Sequence, residues 1–274
     1  LCLLYILPGM LRRDPWKTDD AAGFGIMWTM AHGALADWLS PNIVGLAMPG
    51  EAPLAFWVGA ILIKLFGWLL TDAVAARIST LVFFALGAAA VWRTAFVLGR
   101  RNEAQPLKLA FGGQPAALDY GRTLADGALL IYVASLGLLL RSHETAAPAM
   151  HVSMVAASFY AAACLFDRPR HRSAAGLGMA LGLLALSRGW VIPLVLLLAF
   201  VLVSAVYYRA VLLRLLAITA PIALLLPLAW LLARQELAGD TGSFNWLRES
   251  LQRTGWPTQA GLRHLLKNLF WFTW

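Results

Sequence analysis

Residues 215–233, LLAITAPIALLLPLAWLLA, form a run of 19 residues that contains no charged side chain. The run is rich in leucine and alanine and shows no apolar/polar alternation, which favours a helix over a strand. A membrane core about 30 Å thick needs roughly 20 apolar residues for each spanning helix. The run therefore predicts a transmembrane helix, because a backbone in lipid must satisfy its own hydrogen bonds.

Five further apolar segments have similar composition: residues 73–98, 124–140, 149–166, 174–187 and 190–207. Across the chain, 60% of the residues are apolar and only 13% are charged, whereas soluble domains carry about a quarter charged residues. We therefore predict an all-α, polytopic membrane protein. The chain starts in an apolar tail and stops in an aromatic stretch, so we expect it to be part of a longer protein.

Residues 54–70 form another apolar segment, but it includes a lysine and two tryptophans. If this segment lies in the membrane interface, the inward loops hold nine bases in 40 residues and the outward regions hold eleven bases in 109 residues. Lysine and arginine concentrate in cytoplasmic loops, so this arrangement is favoured. The resulting topology is an outward loop over 9–72 with surface helices at about 19–38 and 53–70, transmembrane helices within 73–233, an outward loop over 234–267, and the start of another transmembrane helix at 268–274.

Several classes of function are disfavoured by the same pattern. Cys2 and Cys164 lie in separate apolar runs, which indicates packing thiols and neither a disulfide nor a metal site. The excess of 22 Lys and Arg over 14 Asp and Glu is explained by inward loops, so no nucleic-acid partner is expected. Gly112-Gly113 is not followed by Gly-Lys-Ser/Thr, which argues against a nucleotide-driven enzyme or pump. Asp126 is predicted to complement a helix N-terminus.

The segment most suited to chemistry is RRDPWKTDD, residues 12–20, directly after the first apolar tail. The adjacent carboxylates of Asp19 and Asp20 repel each other, so we expect one of them to act as a proton acceptor near neutral pH. The simpler alternative is that both acids complement the dipole of a helix that starts there. Arg12, Arg13 and Lys17 are candidates for holding anionic head groups.

Four motifs follow one another at a spacing that resembles a known group of membrane enzymes. They are Trp16-x-x-Asp19-Asp20 after the first apolar tail, Glu51-Ala52-Pro53-Leu54-Ala55-Phe56-Trp57, Ile63-Lys64-Leu65-Phe66-Gly67, and Asp72-Ala73-Val74-Ala75-Ala76-Arg77. In this order they resemble the lipid-dependent glycosyltransferases of the GT-C fold, especially the bacterial protein O-mannosyltransferases and the lipid A aminoarabinose transferases. The resemblance covers roughly residues 1–100 by motif and the rest only by helix pattern.

The resemblance implies a GT-C-like helical bundle and assigns roles by position. Asp19 matches the family's catalytic acid, Asp20 its acidic neighbour, and Arg77 the arginine at the start of the next helix. The chain departs from the family at Asp20, where Glu is usual, and at Glu51-Ala52-Pro53, where Lys-Pro-Pro is usual. The second departure removes a cation expected near the donor phosphate.

The turn Arg141-Ser142-His143-Glu144-Thr145 is a second outward candidate. Glu144 is predicted to assist Asp19, and His143 to orient the substrate or relay a proton. A divalent metal held by His143 with an acid such as Glu51 is a further possibility, although no metal is indicated. The alternative is a hydrated turn whose charges only end two helices.

Bases near the predicted outer boundary are candidates for a lipid-linked phosphate. Arg188 interrupts a nearly continuous apolar stretch whose first limb is short, which predicts a recessed arginine able to grip a phosphate; the alternative is an arginine that snorkels at a helix end. The last outward loop, with helices predicted at 245–253 and 259–268, adds Arg248, Arg253, Arg263 and Lys267. Ordinary contact with lipid head groups is the alternative explanation for these bases.

Together these features predict transfer of a sugar from a polyprenyl-phosphate donor to a lipid A, protein or glycan acceptor. The partners would then be membrane lipid, the donor and the acceptor, at the periplasmic face of a bacterial inner membrane. A transporter or lipid flippase is the main alternative, because interrupted helices and intramembrane arginines occur there too. A non-catalytic assembly protein of the cell envelope is a third possibility.

Overall fold

The structure, a computed structural model, describes residues 17–107, 112–135, 144–239, 242–255 and 258–272. Its helices are α1 Thr18–His32, α2 Leu35–Leu39, α3 Leu54–Phe66, α4 Asp72–Gly99, α5 Ala117–Ala134, α6 Ala147–Asp167, α7 His171–Arg188, α8 Val191–Tyr207, α9 Arg209–Ala238, α10 Asn245–Thr254 and α11 Gln259–Phe272. A short antiparallel hairpin pairs β1 (Asn42–Ile43) with β2 (Leu46–Ala47). The predicted helical class is therefore confirmed.

Within the described ranges, three helices are long and apolar enough to cross a membrane, namely α4, α6 and α9. Their 28, 21 and 30 residues correspond to about 42, 32 and 45 Å of helix. These helices contain the predicted spans 73–98, 149–166 and 215–233. Two other predicted spans fall short of the same length and composition, because α7 has basic residues at both ends and α8 has 17 residues. The predicted span 124–140 lies partly outside the described residues, and its described part belongs to α5, which carries Asp119, Arg122 and Asp126.

Consecutive helices from α4 to α9 run alternately between two ends of the molecule. At one end, Arg100 Nη2 after α4 lies 2.8 Å from Asp167 Oδ2 at the end of α6. At the other end, the start of α1 contacts Thr145, just before α6. We call the end that holds α1 and Thr145 the loop end, and the end that holds Arg100 and Asp167 the opposite end. α7 returns from the opposite end to the loop end, and Arg188 is its last residue.

Small residues allow the helices to pack closely. A Cβ on Gly87 of α4 would collide with Tyr132 Oη of α5. Ser153 of α6 donates a hydrogen bond to the carbonyl of Phe83 in α4 at 2.6 Å. Small interfacial residues and interhelical hydrogen bonds are typical of helices that associate in lipid.

The loop before α4 contains three helices where the sequence predicted two. The region 19–38 is divided, because α1 ends at His32 and α2 begins at Leu35. Asp37 Oδ2 accepts a hydrogen bond from Ala34 N at 2.8 Å and so caps the start of α2. A side chain at Gly33 would collide with this carboxylate, so glycine is required where the two helices meet.

α3 packs between α1 and α4 and ends at Phe66, four residues before the predicted end at 70. Its 13 residues correspond to about 20 Å of helix, too short to cross a core of about 30 Å upright. Phe56 and Ala60 are buried, and Met27 of α1 fills the space above Gly59. The helix therefore joins the bundle core along one face.

Two boundaries differ from those predicted. α5 begins at Ala117, so Asp126 lies in the middle of the helix, where it accepts a hydrogen bond from Trp92 Nε1 at 2.8 Å. The predicted helix-terminal role of Asp126 is therefore wrong, because the polar turns before residue 124 are also helical. α11 is continuous from Gln259 to Phe272, so the structure has no helix boundary at 268.

Candidate active site

The adjacent acids Asp19 and Asp20 face different surroundings. Successive residues on an α-helix point about 100° apart, and both acids lie in the first turn of α1. Asp19 is exposed and lines a cavity at the loop end. Asp20 is only 1% exposed and points into the protein. The two carboxylates therefore do not form a shared pair around one proton.

Asp20 is the centre of a buried polar cluster that joins three elements. Its Oδ1 accepts hydrogen bonds from Thr145 N and Thr145 Oγ1, both at 2.7 Å. Its Oδ2 lies 4.0 Å from Nη2 of Arg77, which is 3% exposed and belongs to α4. Gly23 of α1 lies so close to Thr145 that a Cβ would collide with its carbonyl oxygen. Asp20 thus fixes α1 against the starts of α4 and α6.

Glu144 lies next to this cluster, outside the cavity wall. It is 5% exposed, and its Oε1 lies 2.6 Å from Lys17 Nζ. This contact ties the residue before α1 to the segment before α6. The geometry gives Glu144 and Lys17 a bridging position beside Asp20. Arg12, Arg13 and His143 lie outside the described residues.

The first cavity has a volume of about 310 Å³ and lies between α1, α3, α6, the end of α7 and α10. Its charged lining is mixed: Asp19, Glu51, Arg188 and Arg253. Glu51 Oε1 lies 3.0 Å from Arg253 Nη1, whereas Arg188 makes no salt bridge within the described ranges. Apolar residues such as Phe56 complete the wall. The cavity therefore brings an exposed carboxylate and two guanidinium groups to one hollow.

A second cavity of about 230 Å³ adjoins the first, because both are lined by Arg188 and Arg253. It also includes Gly189 and the first residues of α8, Val191 and Ile192. The N-cap residue of α8 makes no side-chain capping bond. An uncapped helix N-terminus presents backbone N–H groups and the positive end of the helix dipole, which favours an anion.

Ser250 of α10 provides an independent indication of a ligand in the second cavity. The residue is 3% exposed and lines this cavity, yet its Oγ has no hydrogen-bond partner in the described chain. A Cβ added at Gly189 would lie 3.0 Å from this Oγ, so the glycine leaves space beside the hydroxyl. A buried hydroxyl without a partner is costly. An anion bound between Arg188, Arg253 and the start of α8 would satisfy it.

His151 adds a titratable group to the second cavity. Ser187 Oγ donates to the carbonyl of Leu184 at 2.7 Å and lies 2.8 Å from His151 Nδ1. Because the hydroxyl hydrogen is already used, Nδ1 must donate to Ser187. In the neutral ring this leaves Nε2 as a hydrogen-bond acceptor.

The remaining predicted bases are placed elsewhere. Arg248 is exposed on α10 and lines neither cavity. Arg263 and Lys267 are exposed on α11 and line neither cavity. Of the bases predicted for phosphate, Arg188 and Arg253 therefore reach the cavities, and these three do not.

Sequence reasoning did not single out Ser250 or His151. A signal exists for Ser250, because Trp246, Ser250 and Arg253 are spaced four and three residues apart and share one helix face. Trp246 is fully buried, so this face turns toward the protein, whereas Arg248 turns away. Within the described ranges no three His, Cys, Asp or Glu side chains come together as a metal site.

Comparison with known proteins adds no assignment: no protein-family model, no curated protein and no solved structure matches the chain.

Proposed function

We propose that the chain is a glycosyltransferase that moves a sugar from a polyprenyl-phosphate donor to an envelope acceptor. The observation that carries the proposal is the joint presence of Asp19, Arg188 and Arg253 in one hollow at the loop end of membrane-spanning helices. The acceptor would be lipid A, a protein or a glycan. The reaction would take place at the periplasmic face of a bacterial inner membrane, in a GT-C-like helical bundle.

The chemistry needs one base and a site for a departing phosphate. The acceptor hydroxyl oxygen attacks the anomeric carbon of the donor sugar while its proton passes to the Asp19 carboxylate. The bond between that carbon and the phosphate oxygen breaks, and the bonding electrons leave with the phosphate. Because Asp19 is exposed, it can return the proton to water after each turnover.

The second cavity suits the departing phosphate. Arg188 and Arg253 supply charge-assisted donors, and the N-terminus of α8 and Ser250 Oγ supply further hydrogen bonds. Donors fixed before the reaction stabilise the charge that develops on the leaving oxygen. Arg253 already contacts Glu51, so Arg188 is the stronger candidate for the phosphate.

The position of the hollow favours a transferase over a transporter. Transporters typically hold their substrate near the bilayer midplane, at interrupted helices. Here the charged lining comes from residues before, between and after the long helices, including Asp19, Glu51 and Arg188. A site at this level fits a reaction at the membrane surface.

The proposal is tested with the Asp19→Asn variant of the full-length protein in proteoliposomes. The donors are polyprenyl phosphates that carry radiolabelled mannose or aminoarabinose, and the acceptors are envelope lipid and envelope protein. Loss of a positioned base lowers the rate by about 10²–10⁴-fold, so we expect at least a hundredfold loss of transfer, with donor binding retained. Asp119→Asn is the matched control, because Asp119 is an exposed carboxylate at the opposite end.

Near-normal transfer by Asp19→Asn would remove Asp19 from the mechanism. Movement of labelled donor across the vesicle membrane without transfer would support the transporter alternative. Absence of transfer and of donor binding in the unmodified protein, with folding intact, would favour an assembly role.

A further inference from the structure

A third cavity, also lined by charged residues, lies at the opposite end of the molecule, away from the proposed active site. This arginine cleft has a volume of about 440 Å³ and is formed by the last turns of α4 and α6 and the start of α7. Its charged lining consists of Arg93, Arg100, Arg168, Arg170 and one acid, Asp167. The cleft therefore carries a clear excess of positive charge.

The single acid does not neutralise the cleft. Asp167 Oδ2 lies 2.8 Å from Arg100 Nη2 and 3.7 Å from Arg168 Nε, so two arginines share one carboxylate. Arg93 and Arg170 are exposed and have no salt bridge among the described residues. Four arginines against one aspartate leave three positive charges in the lining. These charges can bind an anion.

The wall of the cleft is aromatic at the level where the spanning helices end. Trp92 and Phe96 stack with ring centroids 5.3 Å apart, and the Arg100 guanidinium lies 5.7 Å from the Phe96 centroid. Tyr160 of α6 lines the same hollow. Aromatic side chains concentrate at membrane–water boundaries, where their rings lie at the level of the lipid head groups. A ligand that fits this wall needs an apolar portion next to its anionic group.

We propose that the arginine cleft binds the head group of an anionic phospholipid from the surrounding bilayer. The phosphate lies among Arg93, Arg168 and Arg170, and the glycerol and first acyl carbons cover Trp92 and Phe96. Basic pockets between spanning helices bind anionic head groups in this way. A free phosphate would leave the aromatic wall uncovered. The proposal is independent of the proposed transferase activity.

The test uses the full chain in nanodiscs of phosphatidylcholine with added phosphatidylglycerol. Native mass spectrometry measures how much phosphatidylglycerol stays bound after release from the disc. Each charge-assisted hydrogen bond between an arginine and the lipid phosphate contributes roughly tenfold in affinity, so Arg93→Gln/Arg170→Gln should weaken retention about 100-fold. Both side chains are exposed, so the variant is expected to fold. The matched control is Arg122→Gln/Arg209→Gln, which removes two exposed charges from the same end outside the cleft.

Cys164 lines the cleft and provides a second measurement. In a Cys2→Ser background, phosphatidylglycerol should slow alkylation of Cys164 by a maleimide, and the cleft variant should abolish this protection. Equal losses of retention in the cleft and control variants would show general surface attraction and overturn the proposal. Unchanged retention in the cleft variant would overturn it as well. Equal protection of Cys164 by glycerol phosphate would show a site for free phosphate, with no selection for lipid.

Discussion

Replacing Asp20 by asparagine separates the framework of the site from its chemistry. Asparagine has the same shape as aspartate, and its Oδ1 can still accept both hydrogen bonds from Thr145. The substitution removes the negative charge beside Arg77 and places an amide N–H₂ group where Oδ2 stood. Its effect should therefore fall on the buried charge pair that holds α1 to α4.

The size of the effect follows from the distance and burial of this pair. Asp20 Oδ2 and Arg77 Nη2 are 4.0 Å apart, and both side chains are less than 5% exposed. At an effective dielectric constant of about 20, two unit charges at this distance attract by about 4 kcal/mol. Removing one partner of a buried pair typically costs about 3–5 kcal/mol. We expect Asp20→Asn to lower the free energy of unfolding by about 3–4 kcal/mol.

The assay is thermal unfolding of the purified full chain in detergent. For a chain of this size, 1 kcal/mol corresponds to a shift in Tm of about 2–4 °C, so Asp20→Asn should lower Tm by about 6–16 °C. Asp19→Asn is the matched control, because it changes the neighbouring exposed carboxylate. Exposed substitutions usually stay within about 0.5 kcal/mol, so this control should leave Tm almost unchanged.

Two results would refute this reasoning. A Tm for Asp20→Asn within about 2 °C of the unmodified protein, by the same conversion, would show that Asp20 does not hold α1 in place. An equal loss of stability in Asp19→Asn would show that both acids belong to the framework. In the second case Asp19 would no longer be a distinct candidate for the base.

Three further predictions concern the surroundings of the site. Gly23→Ala should destabilise the protein by about 1–3 kcal/mol in thermal unfolding, because its Cβ would meet the carbonyl of Thr145. The control Gly176→Ala, whose Cβ would have no atom within 4 Å, should leave stability unchanged or raise it. Equal losses of stability in both variants would contradict the packing argument. Ser250→Ala should weaken polyprenyl phosphate binding, measured by native mass spectrometry, by about 3- to 10-fold, and should leave Tm unchanged or raise it. A lower Tm with unchanged binding would show that the hydroxyl stabilises the fold and does not bind the ligand. Trp246→Ala should lower the free energy of unfolding by about 3–5 kcal/mol, because the ring is fully buried, and should make α10 susceptible to limited proteolysis. Resistance to proteolysis equal to that of the unmodified protein would refute this prediction.

The long helices could be predicted from the sequence because lipid imposes a simple rule on composition. The predicted runs 73–98 and 149–166 lie within one or two residues of α4 and α6. A count of apolar residues does not detect polar helical turns at the end of a helix, so it does not predict the start of α5 at Ala117. The division between α1 and α2 was missed for a related reason, since it depends on the contact between Ala34 and Asp37.

The candidate site was harder to predict because it depends on how helices are turned about their axes. The sequence identifies Asp19 and Asp20 as a pair but does not show which one faces the cavity. That choice follows from the docking of Asp20 on Thr145, which is 125 residues away. Likewise, Arg248 and Arg253 are both bases on α10, and burial of Trp246 decides that Arg253 faces inward.

The hollow at the loop end lies where α7 stops short of its neighbour α6. Ser187, the residue before Arg188, lies 2.8 Å from His151, which is one turn into α6. α7 therefore ends about one turn below the start of α6, and its last residue, Arg188, lines the hollow. α10 covers this gap, since Trp190 Nε1 donates to the carbonyl of Leu247 at 2.9 Å and Gly189 lies against Ser250. Packed helices build the floor and roof of the hollow, so Arg188 and Ser250 are in position before any ligand arrives. Such preorganisation lowers the cost of binding an anion at this site.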